Sequence, residues 1–230
     1  GYMSFVENLD GGDPPQWARP QYLEAGGEVF RIMAGPNGSI QGPAEAKWGY
    51  TVLNVADWNH DGLPDIVYNS IWGKVEWLEN EGTLEEPRLK KPKALEVDWN
   101  GFTPKPAWNW WNPKGRQLVT QWRTTPFIHD LNGDGLNDLI MLDTEGYLVY
   151  YERFRKGGLL RLRAPERIFR DANGRALQLN ERLNGRSGRR KFTMGDWDGD
   201  GKIDILINGK NIDFLQNIGE GENAYRFKNM

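Results

Sequence analysis

The chain has 230 residues, of which 38% are hydrophobic and 27% charged, with a formal net charge of −3 and no cysteine. That length holds one large domain or two small ones around a real apolar core, and the balance excludes a membrane-embedded or disordered chain. Without cysteine there is no disulfide framework, thiolate metal site or cysteine nucleophile.

The longest apolar runs are four or five residues, as at Leu139–Leu142, too short for a transmembrane helix. The opening GYMSFVENLD lacks the basic start and apolar stretch of a signal peptide. The 28 Gly, 13 Pro and 11 Trp occur with short apolar–polar alternations bounded by Gly, Pro, Asn and Asp, while 3.6-residue spacing is scarce. This pattern predicts an all-β chain.

In chain order, residues 1–50 hold the string Met3-Ser-Phe-Val-Glu-Asn8 and the connection Lys47-Trp48-Gly-Tyr50. Residues 51–124 begin with a strand, then Asp57-Trp-Asn-His-Asp-Gly-Leu-Pro-Asp65, the run Ile66-Val67-Tyr68 and the string Val75-Glu-Trp-Leu-Glu-Asn80. An outer strand within Arg88–Val97 and an insertion at 98–124 follow. Residues 125–192 repeat the order with Asp130-Leu-Asn-Gly-Asp-Gly-Leu-Asn-Asp138, Leu139-Ile-Met-Leu142, Leu148-Val-Tyr-Tyr-Glu-Arg153 and an outer strand within Leu159–Ile168. Residues 193–230 repeat it with Asp196-Trp-Asp-Gly-Asp-Gly-Lys-Ile-Asp204, Ile205-Leu-Ile207 and Ile212-Asp-Phe-Leu-Gln-Asn217, as a truncated unit. Four strands per repeated unit is the pattern of a β-propeller blade, with the acidic loop between the first two strands. A repeated two-sheet sandwich would not place the same acidic loop at the same point of every unit.

All three loops fit D-x-[DN]-x-D-G-x-x-D. Positions 1, 3 and 5 offer oxygen ligands, the glycine at 6 permits a sharp turn, and a backbone carbonyl at 7 adds another, as in the first half of a calcium loop. The twelfth positions, Tyr68, Met141 and Ile207, carry no bidentate Glu and a strand follows, which excludes an EF-hand. Hard oxygens favour Ca²⁺ over zinc or copper, and like charges so close together repel unless a cation neutralises them. The third loop, with four carboxylates instead of three, is expected to bind most tightly.

These loops, with the strands and the W-L-E-N-like string after them, resemble the FG-GAP/VCBS repeats of integrin-type and bacterial extracellular β-propellers over nearly the whole chain. The motif is specific for the repeat and not for an activity. The resemblance implies three stabilising Ca²⁺ sites. Their ligands would be Asp57, Asn59, Asp61, Leu63 (carbonyl) and Asp65; Asp130, Asn132, Asp134, Leu136 (carbonyl) and Asp138; and Asp196, Asp198, Asp200, Lys202 (carbonyl) and Asp204. His60, inside a loop, is expected to face solvent. Closed propellers need at least four blades, and this family usually has about seven. About three blades are present, which predicts a partial ring completed by blades from the same or another polypeptide.

The loops hold ten carboxylates, so the rest of the chain carries about +7 against the net −3, and three Ca²⁺ would bring the whole to +3. Residues 153–191 contain thirteen Lys or Arg against Glu166, Asp171 and Glu181, read mainly as a solvated outer strand. More informative are the connections entering each first strand: Lys47-Trp48-Gly-Tyr50, Trp122-Arg123-Thr-Thr-Pro126 and Arg186-Ser-Gly-Arg189-Arg190-Lys191. In a propeller they would converge on the face opposite the loops.

Beside that face lies the 98–124 insertion with Trp99, Trp108, Trp110, Trp111 and Trp122, whose prolines argue for an ordered surface loop. Indole faces stack on sugars and Arg holds carboxylates by paired hydrogen bonds. The expected ligand is therefore an anionic, uronic-acid-containing polysaccharide, bound by Lys47, Trp48, the five insertion Trp, Arg123, Arg189 and Arg190. The same Trp residues equally suit packing, and Trp58, Trp77 and Trp197 are read as core.

Two functions stay open. One is an extracytoplasmic bacterial protein that binds or processes polysaccharide. As a lyase it would use Arg123 or Arg189 to neutralise a uronate and His129 or Tyr50 to abstract a proton; no paired carboxylates outside the loops suggest a glycosidase. The other is a non-enzymatic adhesion or protein-interaction propeller. No nucleic-acid-binding motif accompanies the basic residues.

Overall fold

The computed structural model describes residues 1–35, 44–106, 111–180 and 189–230, which form strands and two short 3-10 turns, Glu45–Lys47 and Gly221–Asn223. The chain is all-β. Three antiparallel meanders follow one another. The first runs Val52–Ala56, Asp65–Asn69, Val75–Leu78 and Lys93–Ala94; the second Phe127–His129, Asp138–Leu142 and Leu148–Tyr151; the third Phe192–Gly195, Asp204–Asn208, Ile212–Asn217 and Arg226–Asn229. Each acidic loop spans the same point of its ladder, where Ala56 faces Asp65, His129 faces Asp138 and Gly195 faces Asp204.

The middle strands are unbroken apolar runs because sheets stack on them. Val67 packs with Leu139 and Met141 in one core between the first and second sheets. On the other side of the second sheet's middle strand, Ile140 and Leu142 pack with Ile205 and Ile207 of the third. Ile66 and Tyr68 turn the other way and meet Met3, Ala25 and Phe30 near the N-terminus. Burial on both faces removes any need for the alternation that a half-solvated strand shows. Each such side chain contributes about 1.5–3 kcal/mol, whereas an exposed ion pair gives about 0–1 kcal/mol. These interfaces therefore dominate stability.

Several outer segments depart from the simple repeat. The segment expected as the second unit's outer strand instead forms a hairpin, Arg153–Lys156 with Leu159–Arg163, whose second strand pairs in parallel with Val97–Asp98 beside the first sheet. Among the described residues, isolated bridges, Tyr150 with Glu166 and Tyr147 with Gln178, stand in the outer position of the second sheet. The C-terminal segment, read as truncated, carries four antiparallel strands plus Arg170–Asp171 in parallel. The string at Met3–Asn8 pairs Ser4–Phe5 with Gln21–Tyr22.

The turn before Leu148 depends on a glycine. Gly146 has φ +87°, its carbonyl accepts the N–H groups of Leu179 and Asn180, and a Cβ there would lie 2.2 Å from the Asn180 carbonyl oxygen. Gly146→Ala therefore combines a left-handed backbone with a backbone clash, each costing a few kcal/mol at most. A loss of about 2–5 kcal/mol in urea unfolding is expected; a shift within error would show that Asn180 yields freely.

Candidate functional site

Each acidic loop is organised by hydrogen bonds that lie within nine residues of sequence. The position-6 N–H donates to the position-1 carboxylate: Gly62 to Asp57 at 2.9 Å, Gly135 to Asp130 at 2.8 Å, Gly201 to Asp196 at 2.9 Å. The position-7 N–H of Leu63, Leu136 and Lys202 donates to Asp61, Asp134 and Asp200 at 2.8–2.9 Å. Position 4 is left-handed in all three, with φ +64° at His60, +73° at Gly133 and +78° at Gly199. His60 thus occupies a glycine-like position, exposed, as the sequence reading has it.

Position 9 differs from the rest. Asp65, Asp138 and Asp204 are wholly buried. One oxygen of each accepts the N–H of position 2 (Trp58, Leu131, Trp197), and the other accepts the N–H of a residue just beyond or ending the third strand (Asn80, Arg153, Asn217), at 2.7–3.1 Å. These aspartates tie the loop to the ladder. Burial pushes the Asp65 carboxyl up to about 6, against its backbone hydrogen bonds, and raises Asp138 in the same way.

The loops are not equivalent as metal sites. Among the described residues, Asp196, Asp198 and Asp204 bring carboxylate oxygens within 4.8 Å of one another and are positioned to hold a metal ion. Three carboxylates at that separation repel, and a hard divalent cation is what the oxygen set accommodates. In the first two loops position 3 is an amide that turns inward: Asn59 Nδ2 donates to Asp61 at 2.8 Å and Asn132 Nδ2 to Asp134 at 3.0 Å. There the amide proton performs part of the neutralising role. In the third loop Asp198 instead accepts Gln216 Nε2 at 2.6 Å.

Comparison with protein-family models, curated proteins and solved structures finds no match for this chain. What the chain can do is read from its own geometry.

At the opposite ends of the first strands, the entry segments meet. Arg123, 5% exposed, lies over the Tyr50 ring at 3.2 Å and the Trp122 ring at 4.4 Å, while Trp48 meets Tyr50 edge-on at 5.6 Å. Both Tyr50 (φ +47°) and Arg123 (φ +60°) hold left-handed backbones, a strain of about 1–3 kcal/mol each that surrounding structure must over-determine. For Arg123 the restraint is visible: its N–H bonds Ser70 O at 3.1 Å and Asn69 Oδ1 at 3.2 Å, and buried Asn69 also holds Gln121 O at 2.9 Å. Arg123 Nε is buried without a partner. Burial holds its guanidinium below the usual range, with Arg189 adding to the effect and Tyr50 opposing it. Lys191 is likewise lowered, by desolvation and then by Arg123.

Other candidates are placed differently. Lys47 sits in the exposed 3-10 turn, Arg190 Nη1 donates to Asn208 O, and Arg189 O accepts Asn208 Nδ2 at 3.0 Å. Trp111 and Trp122 are buried with Ala34, Ile71 and Val119, so they are packing residues and not open stacking platforms. Trp99 packs against the core between the first two sheets. Trp108 and Trp110 lie outside the described residues.

Among the described residues, no lyase pair is assembled around Arg123. His129 ends its strand beside the second acidic loop, while Arg123 precedes that strand. Tyr50 Oη donates to Glu45 at 2.7 Å, and desolvation followed by that bond raises the phenol, which disfavours it as a base. Sequence reading could not see Glu45 as Tyr50's partner, since nothing in a lone Glu marks it.

Proposed function

We propose that the chain is part of an extracytoplasmic, calcium-stabilised β-propeller that binds an anionic, uronate-containing glycan on the face opposite its acidic loops. The stacked sheets serve as blades, further blades from the same or another polypeptide complete the ring, and three loops hold Ca²⁺, the third most tightly. The carrying observation is Arg123: a nearly buried guanidinium, strained in backbone and stacked on two aromatic rings, with an unmet Nε donor beside Arg189 and Lys191. A carboxylate placed there would satisfy that donor and add to the counter-charge that Glu45 already gives Arg123, while half-exposed Trp48 offers a sugar a flat face. Binding rather than catalysis is the reading, because the described groups supply no free base at Arg123.

Calorimetric titration with oligogalacturonate, against a neutral maltooligosaccharide of equal length, tests it. Binding of the acidic oligomer alone is expected, with at least tenfold weakening in Arg123→Gln and partial retention in Arg123→Lys. Equal affinity for both oligomers, or full affinity in a folded Arg123→Gln, would overturn it.

The second reading, an adhesion propeller, is favoured by the apolar residues left open toward the N-terminal end. Tyr2 and Tyr22 stack with ring centroids 4.5 Å apart and are 47% and 59% exposed, a contiguous patch of the kind protein-binding surfaces use.

A further inference from the structure

A cavity of about 350 Å³ opens between the first sheet and the Arg153–Arg163 hairpin, and Arg123 does not line it. Trp58 and Trp77 of the first sheet line it, the segment 93–98 forms one wall, and the hairpin containing Arg153 and Leu159–Leu162 forms the other. The parallel pairing of Leu162 with Val97 holds the two walls in place.

Arg153 is the anomaly here. The repeated string ends in Asn8, Asn80 and Asn217 elsewhere, and in Arg only in the second unit. Its backbone N–H bonds Asp138 at 2.7 Å, and the residue opens the hairpin opposite Leu162. Its side chain is 5% exposed, its guanidinium lies 3.6 Å from the Trp58 ring centroid, and Nε and Nη1 are buried without hydrogen-bond partners. The nearby Asp65 and Asp138 oxygens are engaged by backbone N–H groups and Tyr150 Oη. A buried cation with unmet donors costs several kcal/mol in proteins generally.

We infer that this cavity is a second binding site, for a small organic monocarboxylate whose carboxylate meets Arg153 and whose apolar body lies against the indoles and leucines. A single negative charge is the most the site accommodates, because Arg153 already faces the Asp65 and Asp138 carboxylates and the rim is otherwise near balance. Lys93, Arg116 and Arg161 face Glu96 and Asp98, and Asp98 is already paired with Arg116 and with Lys156 at 3.3 Å. A phosphate dianion would meet those carboxylates unfavourably. The volume lies within the range of small-molecule sites. This inference is independent of the glycan reading.

Titration of the whole chain with phenylacetate, phenylacetamide and inorganic phosphate tests it, followed by calorimetry and by the indole N–H resonances. Phenylacetate is expected to bind saturably and at least tenfold tighter than either of the others. Arg153→Gln is expected to weaken it at least tenfold. Leu160→Trp, which fills the cavity while keeping Arg153, is expected to block it, so the test survives if Arg153→Gln fails to fold. Arg123→Gln is expected to leave it intact, which separates this site from the glycan face. Absence of saturable phenylacetate binding, equal binding of phenylacetamide or phosphate, or unchanged binding in both cavity variants would overturn the proposal.

Discussion

Asp65→Ala is expected to destabilise the chain by about 3–6 kcal/mol in urea unfolding with chelator present, which threatens the fold itself. The reason is a count of orphaned donors. The substitution strands the N–H groups of Trp58, Asn59 and Asn80, now bonded at 3.0, 3.3 and 2.7 Å to a carboxylate with no exposure. Each buried unsatisfied donor costs about 1–3 kcal/mol. Asp61→Ala, on the exposed side of the same loop, is expected to cost about 1 kcal/mol or less without metal, since water replaces its bonds. Asp65→Asn keeps one carbonyl oxygen and should fall between. If Asp65→Ala and Asp61→Ala were equally mild under chelation, position 9 would be a metal ligand only and not a structural tie.

Millimolar calcium is expected to raise the melting temperature, first through the third loop. A site filled at a hundredfold excess over its Kd adds about 2.7 kcal/mol, and a chain of this size gains roughly 2–4 °C per kcal/mol, or about 5–10 °C per site. Asp198→Asn should lower the third loop's increment to that of the other two, because it breaks the carboxylate triad with Asp196 and Asp204 and leaves the Asn that the other loops carry. The pH dependence has a definite sign. Without metal, Asp65 binds its proton more tightly folded than unfolded, so it favours folding fully below about pH 4 and loses that contribution as pH rises toward about 6. Calcium needs the ionised carboxylate, so affinity at the first loop should rise over the same interval. A melting temperature indifferent to calcium at pH 7 would remove the metal from the account.

Two kinds of residue explain what was legible in advance. The acidic loops could be read because their bonds close within nine residues, so side-chain identity and spacing carry nearly all the geometry. The strands after them could be read because four or five apolar residues bounded by Asp and Gly have few other uses. Trp111 and Trp122 could not be read: an indole in a Pro-rich segment suits a platform or a core equally, and Ala34 and Ile71, distant in sequence, decide the matter. Glu45 and Tyr50 are five residues apart, yet only the left-handed backbone at Tyr50 shows how that approach is made.

Sequence alone determined the all-β class, the three acidic loops and the cationic aromatic character of the segments entering the sheets, because each is a property of neighbours along the chain. Tertiary structure alone decided which carboxylates close on one another, that the outer hairpin crosses to Val97–Asp98, and that Arg153, one basic residue among thirteen in its stretch, is buried against Trp58. Burial of a charge depends on what arrives from elsewhere in the chain, and here Trp58 arrives from 95 residues away.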